Sequence, residues 1–591
     1  MKKLLLTIVL AGTAMWSQAQ VIFAVQSPAG IAGNYEFTWA DPAGGWGTPN
    51  FLTPGTFVQG DLMLADDGAS GTNAQGYPSS ATGCSPITNN LAGKIAVVFR
   101  YDGVSVGSCE FGLKAKNCQD AGAIGVVIIN REAGVIEMGS GADGANVTIP
   151  VAFVSDATGA TLYNEMQNGT VNVLFGNKTG LYDDDAGIMA GTTLISKASG
   201  VVSQIAQNAS EFNFEIGTQV SNYGLNDQDN ISVNATITGP SGEVYNQTVG
   251  PISIVSGDSV QIIPGGAFEF PAFSLATYAA GRYTLTYTVD LGIADEYDAD
   301  NTISSDFVVN DKIYALATMD ATEGDVPVSN NGYRPSDNTN SFSACIVFRD
   351  PNASRLGAEG LYFSAMGSAV DLTGEEISLY LYRWDDAFAD LNDANLAFDA
   401  LTPVASGFYY YPGDYQDSTV YGSFTNQVIL EDDARYLACI QTFNLDVFLG
   451  FDTKANYLWN EAYYLQPLTP IENDATLTTG GWFASGFGAD VVPAIGLKVF
   501  NEAELGINES ATISGSVYPN PATENISISL NAEGAAVLNI TDLAGRTVKT
   551  TDINLANGTA DMNISDLNSG AYIFNVTFED GKTAQFNVVK K

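Results

Sequence analysis

The chain is 591 residues long, with 66 acidic residues, 23 basic residues and no histidine, giving a formal net charge of −43. That charge repels phosphate backbones and anionic lipid, and the missing imidazole removes Ser-His-Asp triads, Cys-His pairs and His-ligated zinc, leaving carboxylate pairs, Ser-Lys dyads and oxygen-ligated calcium. With 15% charged residues, 61 Gly, 21 Pro and 11% aromatics, the composition fits a multidomain, mainly β, extracellular protein of roughly four domains at about 150 residues each.

Lys2 and Lys3 precede an apolar run from Leu4 to Leu10, and Ser17-Gln18-Ala19 sets small residues at the positions a signal peptidase reads. Residues 1–19 are therefore expected to be a signal peptide. No later apolar run reaches the roughly 18 residues a membrane helix needs, so no transmembrane segment is expected in the mature chain. Export makes disulfides permissible for Cys84, Cys109, Cys118, Cys345 and Cys439.

Residues 20–180 form an N-terminal flank and an α/β domain whose core spans about 50–178. Ile95 to Phe99 and Ile124 to Ile129 are short apolar β-branched runs, each predicting a buried strand. Between them Phe111, Ala115, Cys118 and Gly122 recur at helical spacing, with Gly122 placed as the helix stop. A β-α-β unit follows, with a third strand around Val151 to Val154.

Gly93-Lys94-Ile95-Ala96-Val97-Val98, then Cys109-Glu110-Phe111 with Lys114, Ala121-Gly122-Ala123-Ile124-Gly125-Val126, Asn130 and Ile149-Pro150-Val151 resemble the protease-associated (PA) domain. The resemblance implies a compact α/β domain found in secreted peptidases and sorting receptors, where it binds proteins or substrates and performs no chemistry. Lys114 and Asn130 then read as a solvated helix lysine and a strand-end turn residue. Were Cys109 and Cys118 both helical, about 1.5 Å of rise per residue would part them by roughly 13 Å on opposite faces, too far for a bridge. Cys84 with Cys109 is the better pair, as the resemblance also implies, leaving Cys118 a buried thiol. If Cys109 precedes the helix, a Cys84–Cys118 bridge is the alternative.

Asp183-Asp184-Asp185 opens a segment, 181–212, that lacks periodicity and reads as a connection. Residues 213–310 turn to strands: Tyr283, Leu285, Tyr287 and Val289 alternate with threonines, and turns at Gly239, Gly257 and Gly281 suit an immunoglobulin-like β-sandwich. The loop Asp295-Glu296-Tyr297-Asp298-Ala299-Asp300-Asn301 offers Asp295, Asp298 and Asp300 as calcium candidates, against the reading of a polar inter-strand loop.

Residues 311–505 carry a second β region without a long helix, expected as a jelly-roll-like sandwich. Ile377, Leu379 and Leu381 alternate with Ser378, Tyr380 and Tyr382, another strand runs from Tyr436 to Ile440, and Cys345 and Cys439 are expected to bridge. Trp384, Tyr409, Tyr410, Tyr411, Trp459, Tyr463, Tyr464 and Trp482 are aromatics of the kind that stack on sugars or anchor protein partners. Asp385, Asp386, Asp390 and Asp393 are candidates for calcium or for an acid–base pair. The stretch 390–395 lacks the glycine and distal glutamate of an EF-hand loop. Core filling by the aromatics and solvation of the acids are the competing readings.

In residues 511–591, Val517-Tyr518-Pro519-Asn520-Pro521 precedes the alternating Ile526, Ile528 and Leu530. Asp542-Leu543-Ala544-Gly545-Arg546 and Leu567-Asn568-Ser569-Gly570-Ala571-Tyr572 follow, and the chain ends Lys590-Lys591. The pattern is a small β-sandwich. These motifs resemble the type A sorting domain of the type IX secretion system of Bacteroidetes-type bacteria. That implies export by Sec and then across the outer membrane, with the secretion machinery as partner and a cell-surface or extracellular destination.

The expectation is therefore a secreted, non-catalytic PA-domain protein that binds proteins or polysaccharides and needs no cofactor. Its competitors are a secreted hydrolase, whether peptidase-associated or carboxylate-based, and a surface adhesin stabilised by calcium.

Overall fold

The structure is a computed structural model that describes residues 21–73, 76–100, 109–131, 134–320, 326–335, 338–367, 370–474, 481–502, 515–542, 546–578 and 582–591. The expected signal segment and Gly545 lie outside the described residues. The chain divides into two compact units, the second made of Ser354–Gly357 and Phe500–Lys591. No helix among the described residues is long and apolar enough to cross a membrane.

The N-terminal α/β region is built on an eight-stranded mixed sheet. Ile95–Phe99 pairs in parallel with Phe57–Leu64 on one side and Gly125–Ile129 on the other, which in turn pairs in parallel with Val151–Val154. Parallel strands are covered on both faces, so they read as continuous apolar runs rather than alternating ones. Here Ile95, Val97 and Phe99 point into one core with Phe23, Leu162 and Phe175, while Ala96 and Val98 point into the other with Trp46, Ala115 and Cys118. The helix Phe111–Asp120 makes the crossover, and Gly122 beyond it adopts φ +94°, a left-handed turn open to glycine at no steric cost. A second helix, Asp156–Asn168, starts where Ser155 accepts a hydrogen bond from the Thr158 amide.

Residues 181–212, expected as a connection, contribute two strands to the sandwich that follows. Ala186–Thr193 pairs with Thr218–Asn222, and Gly200–Val202 lies between Thr302–Asn310 and Ile313–Ala315. Ala186, Gly187, Ile188 and Met189 are all buried, so no alternation marks the first strand in the sequence.

Its main sheet orders Gly242–Ile254, Gln228–Gly239, Gly281–Asp290 and Thr302–Asn310. Tyr283, Leu285, Tyr287 and Val289 face inward as their alternation predicts. Tyr283 stacks on Phe307 at 4.9 Å, within a ring cluster that includes Phe212, Phe214 and Phe273. The sheet does not stop at the domain edge: Gly200 pairs with Ala315, Ala315 with Gly496 and Ile313 with Lys498. One continuous sheet thus joins the two β regions.

Residues 311–505 add a six-stranded antiparallel sheet ordered Leu401–Tyr410, Glu376–Trp384, Tyr436–Thr442, Phe342–Phe348, Ile471–Asn473 and Trp482–Phe483. Ile377, Leu379 and Leu381 line its inner face. The second unit packs two sheets of three and four strands around Ile526, Ile528, Leu538, Phe574 and Val576.

Candidate functional site

In the α/β region the structure pairs Cys84 with Cys109, Cα atoms 5.6 Å apart, and leaves Cys118 as a buried thiol. Cys109 precedes the helix, two residues before Phe111. Burial pushes the Cys118 thiol up to about 12, which keeps it protonated and inert.

Lys114 corrects the expectation of a solvated side chain, because it sits on the inner face of the helix with no exposed surface. Its Nζ donates to Thr82 O at 2.7 Å and Phe99 O at 3.1 Å and lies 3.4 Å from Cys84 Sγ. Burial lowers its pKa to about 8. Asn130, also fully buried, accepts from Arg100 Nη1 and donates to Gly134 O, so it organises the strand end.

The acidic loop of the first sandwich turns toward the α/β region. Asp295 accepts from the amides of Tyr297 and Ala186 and from Asn301 Nδ2. Asp298 opens a short 3-10 turn. Asp300 reaches inward to Lys178, whose Nζ lies 2.8 Å from Asp300 Oδ2 and 2.7 and 2.9 Å from the two oxygens of Asp185. The rings of Tyr223 and Tyr297 flank this ammonium at 4.3 and 4.2 Å. The positive charge among these carboxylates is therefore the protein's own. Burial raises Asp185 to about 7 and Asp300 to about 6, against the opposing pull of Lys178.

In the second β region the candidate aromatics separate. Tyr409 and Tyr411 pack on Phe363 inside the sandwich. The helix Leu458–Tyr464 docks on the preceding region: Asn460 exchanges two hydrogen bonds with the Ile195 backbone, and the Tyr464 hydroxyl accepts from the Glu215 amide. These positions, with Trp459 and Tyr463 on the same helix, do not join Trp384 or Trp482.

Trp384 is buried and stacks on Phe398 at 4.5 Å, and Phe398 stacks on Trp482 at 4.7 Å. The Arg435 guanidinium lies 3.7 Å over Phe388, with its pKa lowered to about 10 by burial. The loop following Trp384 covers this cluster, and its acids hold it in shape. Asp386 accepts from Trp384 Nε1, Asp385 from Arg383 Nε, Asp390 from the Asn392 amide, and Asp393 from the Ala389 and Asn395 amides. Among the described residues no group of three or more His, Cys, Asp or Glu side chains gathers as a metal site.

A further row of residues crosses the six-stranded sheet, and of its members the sequence singled out only Trp482 as a binding candidate. Directly opposed residues on neighbouring strands share one face of a sheet. The register sets Phe408 opposite Ser378, Ser378 opposite Gln441, Gln441 opposite Ser343, Ser343 opposite Glu472 and Glu472 opposite Trp482. This row crosses all six strands and, at about 4.8 Å per strand, spans roughly 24 Å.

Its ends are aromatic and its middle is polar. Gln441 Nε2 donates to Ser343 Oγ at 3.0 Å, and Ser343 Oγ donates to Glu472 Oε2 at 3.1 Å. Tyr380 and Tyr382, stacked at 5.3 Å, lie beside the row on the same face, as does the exposed Tyr410 opposite Glu376. The Cys345–Cys439 bridge joins two directly opposed residues of the central strands, Cα atoms 4.1 Å apart. Only the pairing of distant strands assembles this row, so the sequence marked Trp482 but not the residues it lines up with.

In the C-terminal unit, Asn520 ties the Tyr518–Pro521 segment to the last strand, accepting from the Val589 amide at 2.9 Å and donating to Asn587 O at 2.7 Å. Lys591 donates its amide to Ala522 O, two residues after Asn520, and Lys590 closes the terminal strand. Gly570 opens the Gly570–Phe578 strand, and the Tyr572 hydroxyl donates to Asn568 O. Arg546 pairs with Asp542 at 2.7 Å, and Tyr518 is half exposed.

The comparisons with known proteins are local. Residues 58–162 match the PA domain family, and residues 516–590 match the secretion system C-terminal sorting domain family. An ER degradation-enhancing alpha-mannosidase-like protein 3 of Xenopus laevis is 37% identical over 129 residues, 20% of this chain and 13% of that protein. The Homo sapiens protein of the same name is 30% identical over 198 residues, 30% of this chain and 20% of its own. The chain thus spans a fifth or less of these relatives. Among solved structures, an aminopeptidase from Aneurinibacillus sp. strain AM-1 is 18% identical with a TM-score of 0.18, covering 26% of this chain and 30% of that one. The chain is a secreted, β-rich multidomain protein that carries a PA domain at 58–162 and a type IX secretion sorting domain at 516–590.

Proposed function

We propose that this protein is a non-catalytic binder that holds polysaccharide on the six-stranded sheet, after export by Sec and the type IX machinery to the cell surface or beyond. The observation that carries the reading is the row from Phe408 to Trp482. Phe408 is exposed and Trp482 keeps one ring face free of Phe398, so each offers apolar contact to a sugar ring, while the half-buried Gln441 and Glu472 between them offer a donor and an acceptor above the buried Ser343 and Ser378. A strip of this length suits an extended chain better than a small ligand, which takes a concave pocket. Protein ligands remain with the PA domain, whose family binds proteins or substrates. The absence of histidine supports the non-catalytic reading, because it removes the triads and His-zinc sites of peptidases.

Binding of the mature protein on a glycan array, repeated with Phe408→Ala and Trp482→Ala, tests the reading. Each truncation is expected to weaken binding about 3- to 10-fold, in line with about 0.5–1.5 kcal/mol for an aromatic contact. Parallel incubation with casein and peptide substrates is expected to leave them intact. Glycan binding indifferent to both substitutions, or robust peptide cleavage, would overturn the proposal.

A further inference from the structure

We propose that Lys178 and Asp300 become joined by an intramolecular amide, from Nζ of the lysine to Cγ of the aspartate, with Asp185 taking a proton. The inference is independent of the glycan reading and rests on the geometry at the junction of the α/β region and the first sandwich.

Three features meet there. The Lys178 and Asp185 side chains have no exposed surface, and that of Asp300 has 15%. Two tyrosine rings close over the nitrogen, which excludes the water that would compete in a condensation. The nitrogen already lies 2.8 Å from Asp300 Oδ2, so the reaction is unimolecular between pre-positioned groups.

The two carboxyls differ in a way that assigns their roles. Asp185 grips the ammonium with both oxygens, which suits it to taking a proton. Apart from the Lys178 contact neither Asp300 oxygen has a hydrogen-bond partner among the described residues, so its carboxylate is less well stabilised than a paired one and takes a proton more readily. Its carboxylate also packs against Gly187, where a Cβ would collide with it, so it is held in place toward the lysine. Burial raises Asp185 to about 7 and Asp300 to about 6, so near neutrality the pair holds a shared proton that can sit on Asp300 while Asp185 takes one from the ammonium.

The step balances without an outside reagent. Asp185 accepts a proton from the ammonium, the freed lone pair bonds to Asp300 Cγ, and the carboxyl C–O bond breaks. One nitrogen proton stays on Asp185 and another leaves with the hydroxyl of protonated Asp300, so ammonium, the Asp185 carboxylate and the Asp300 carboxyl become one amide, one water and a protonated Asp185. The product holds no buried ion, since the ammonium is consumed and Asp185 keeps the proton it accepted. An amide leaves a single carboxyl that can hold a proton.

Intact mass of the full mature chain, with its disulfides reduced and alkylated, decides the matter. The mass is expected about 18 Da below the sequence value, the loss of one water. Tryptic digestion is expected to yield the Lys178 peptide, uncleaved at that lysine, joined to the peptide that contains Asp300. Asp300→Ala and Asp185→Asn should each restore the full mass, and the second keeps the shape of the site. An unshifted wild-type mass, or an amide between Lys178 and Asp185, would overturn the proposal. A mass loss that persists in Asp185→Asn would overturn the proton-carrying role.

Discussion

Gly187→Ala tests how tightly the junction around Lys178 is built. Gly187 lies in the Ala186–Thr193 strand, and a Cβ added there would collide with the Asp300 carboxylate. Its φ is not left-handed, so the change adds no backbone strain of its own. Relative to the chain before the amide forms, Asp300 must swing away and give up its 2.8 Å contact with Lys178. Overpacking alone costs about 1–3 kcal/mol, and breaking a buried ion pair costs about 3–5 kcal/mol. Because Asp185 still holds the ammonium by both oxygens, each cost is taken at the low end of its range and the expected total is about 4 kcal/mol.

Native-state hydrogen exchange of the mature protein reads this locally, as a loss of opening free energy for amides 186–193. The cause is checked by a double-mutant cycle. Asp300→Ala removes the group that the methyl strikes, so adding Gly187→Ala to it is expected to cost no more than about 0.5 kcal/mol. If the two losses simply add, the collision with Asp300 is not the mechanism and the reasoning fails.

Other outcomes follow from the same structure. The Lys114 pKa falls from 10.5 to about 8 on folding, so between those values the unfolded chain binds more protons and PA-domain stability should rise with pH. The gain, about 3 kcal/mol, should be absent in Lys114→Met when opening is measured from pH 7 to 10.5. Replacing Cys84 and Cys109, which close a 25-residue separation, by alanine should cost about 3.5 kcal/mol in denaturant titrations. The same change at Cys345 and Cys439, separated by 94, should cost about 4.6 kcal/mol. A larger loss at the shorter loop would contradict the chain-entropy account. Deleting residues 511–591 should strand the protein in the periplasm in a cell fractionation assay, and undiminished surface display would refute the sorting role of this region.

The two domains with specific motifs were legible because their signals are local. Apolar runs at 95–99 and 125–129 around a helix-spaced face define a β-α-β unit wherever they occur, and the Tyr518–Pro521 and Gly570–Tyr572 motifs each span a few residues. Lys114 misled because a lysine at helical spacing is usually solvated. Only the carbonyls of Thr82 and Phe99, brought in by other segments, make its burial tolerable.

What composition determined by itself is the range of chemistry. A chain without histidine has no imidazole base or His-zinc site in any fold, and alternation along single strands determined that its regular structure is mainly β. What tertiary structure decided is which distant residues meet. Phe408, Ser378, Gln441, Ser343, Glu472 and Trp482 form one row only through strand register. The acidic loop at 295–301, read locally as a cation site or a polar loop, faces Lys178 from another domain. The reason is physical: periodicity reports how a segment meets its own sheet or helix, whereas burial and pairing are set by contacts between segments far apart in the chain, which no local pattern encodes.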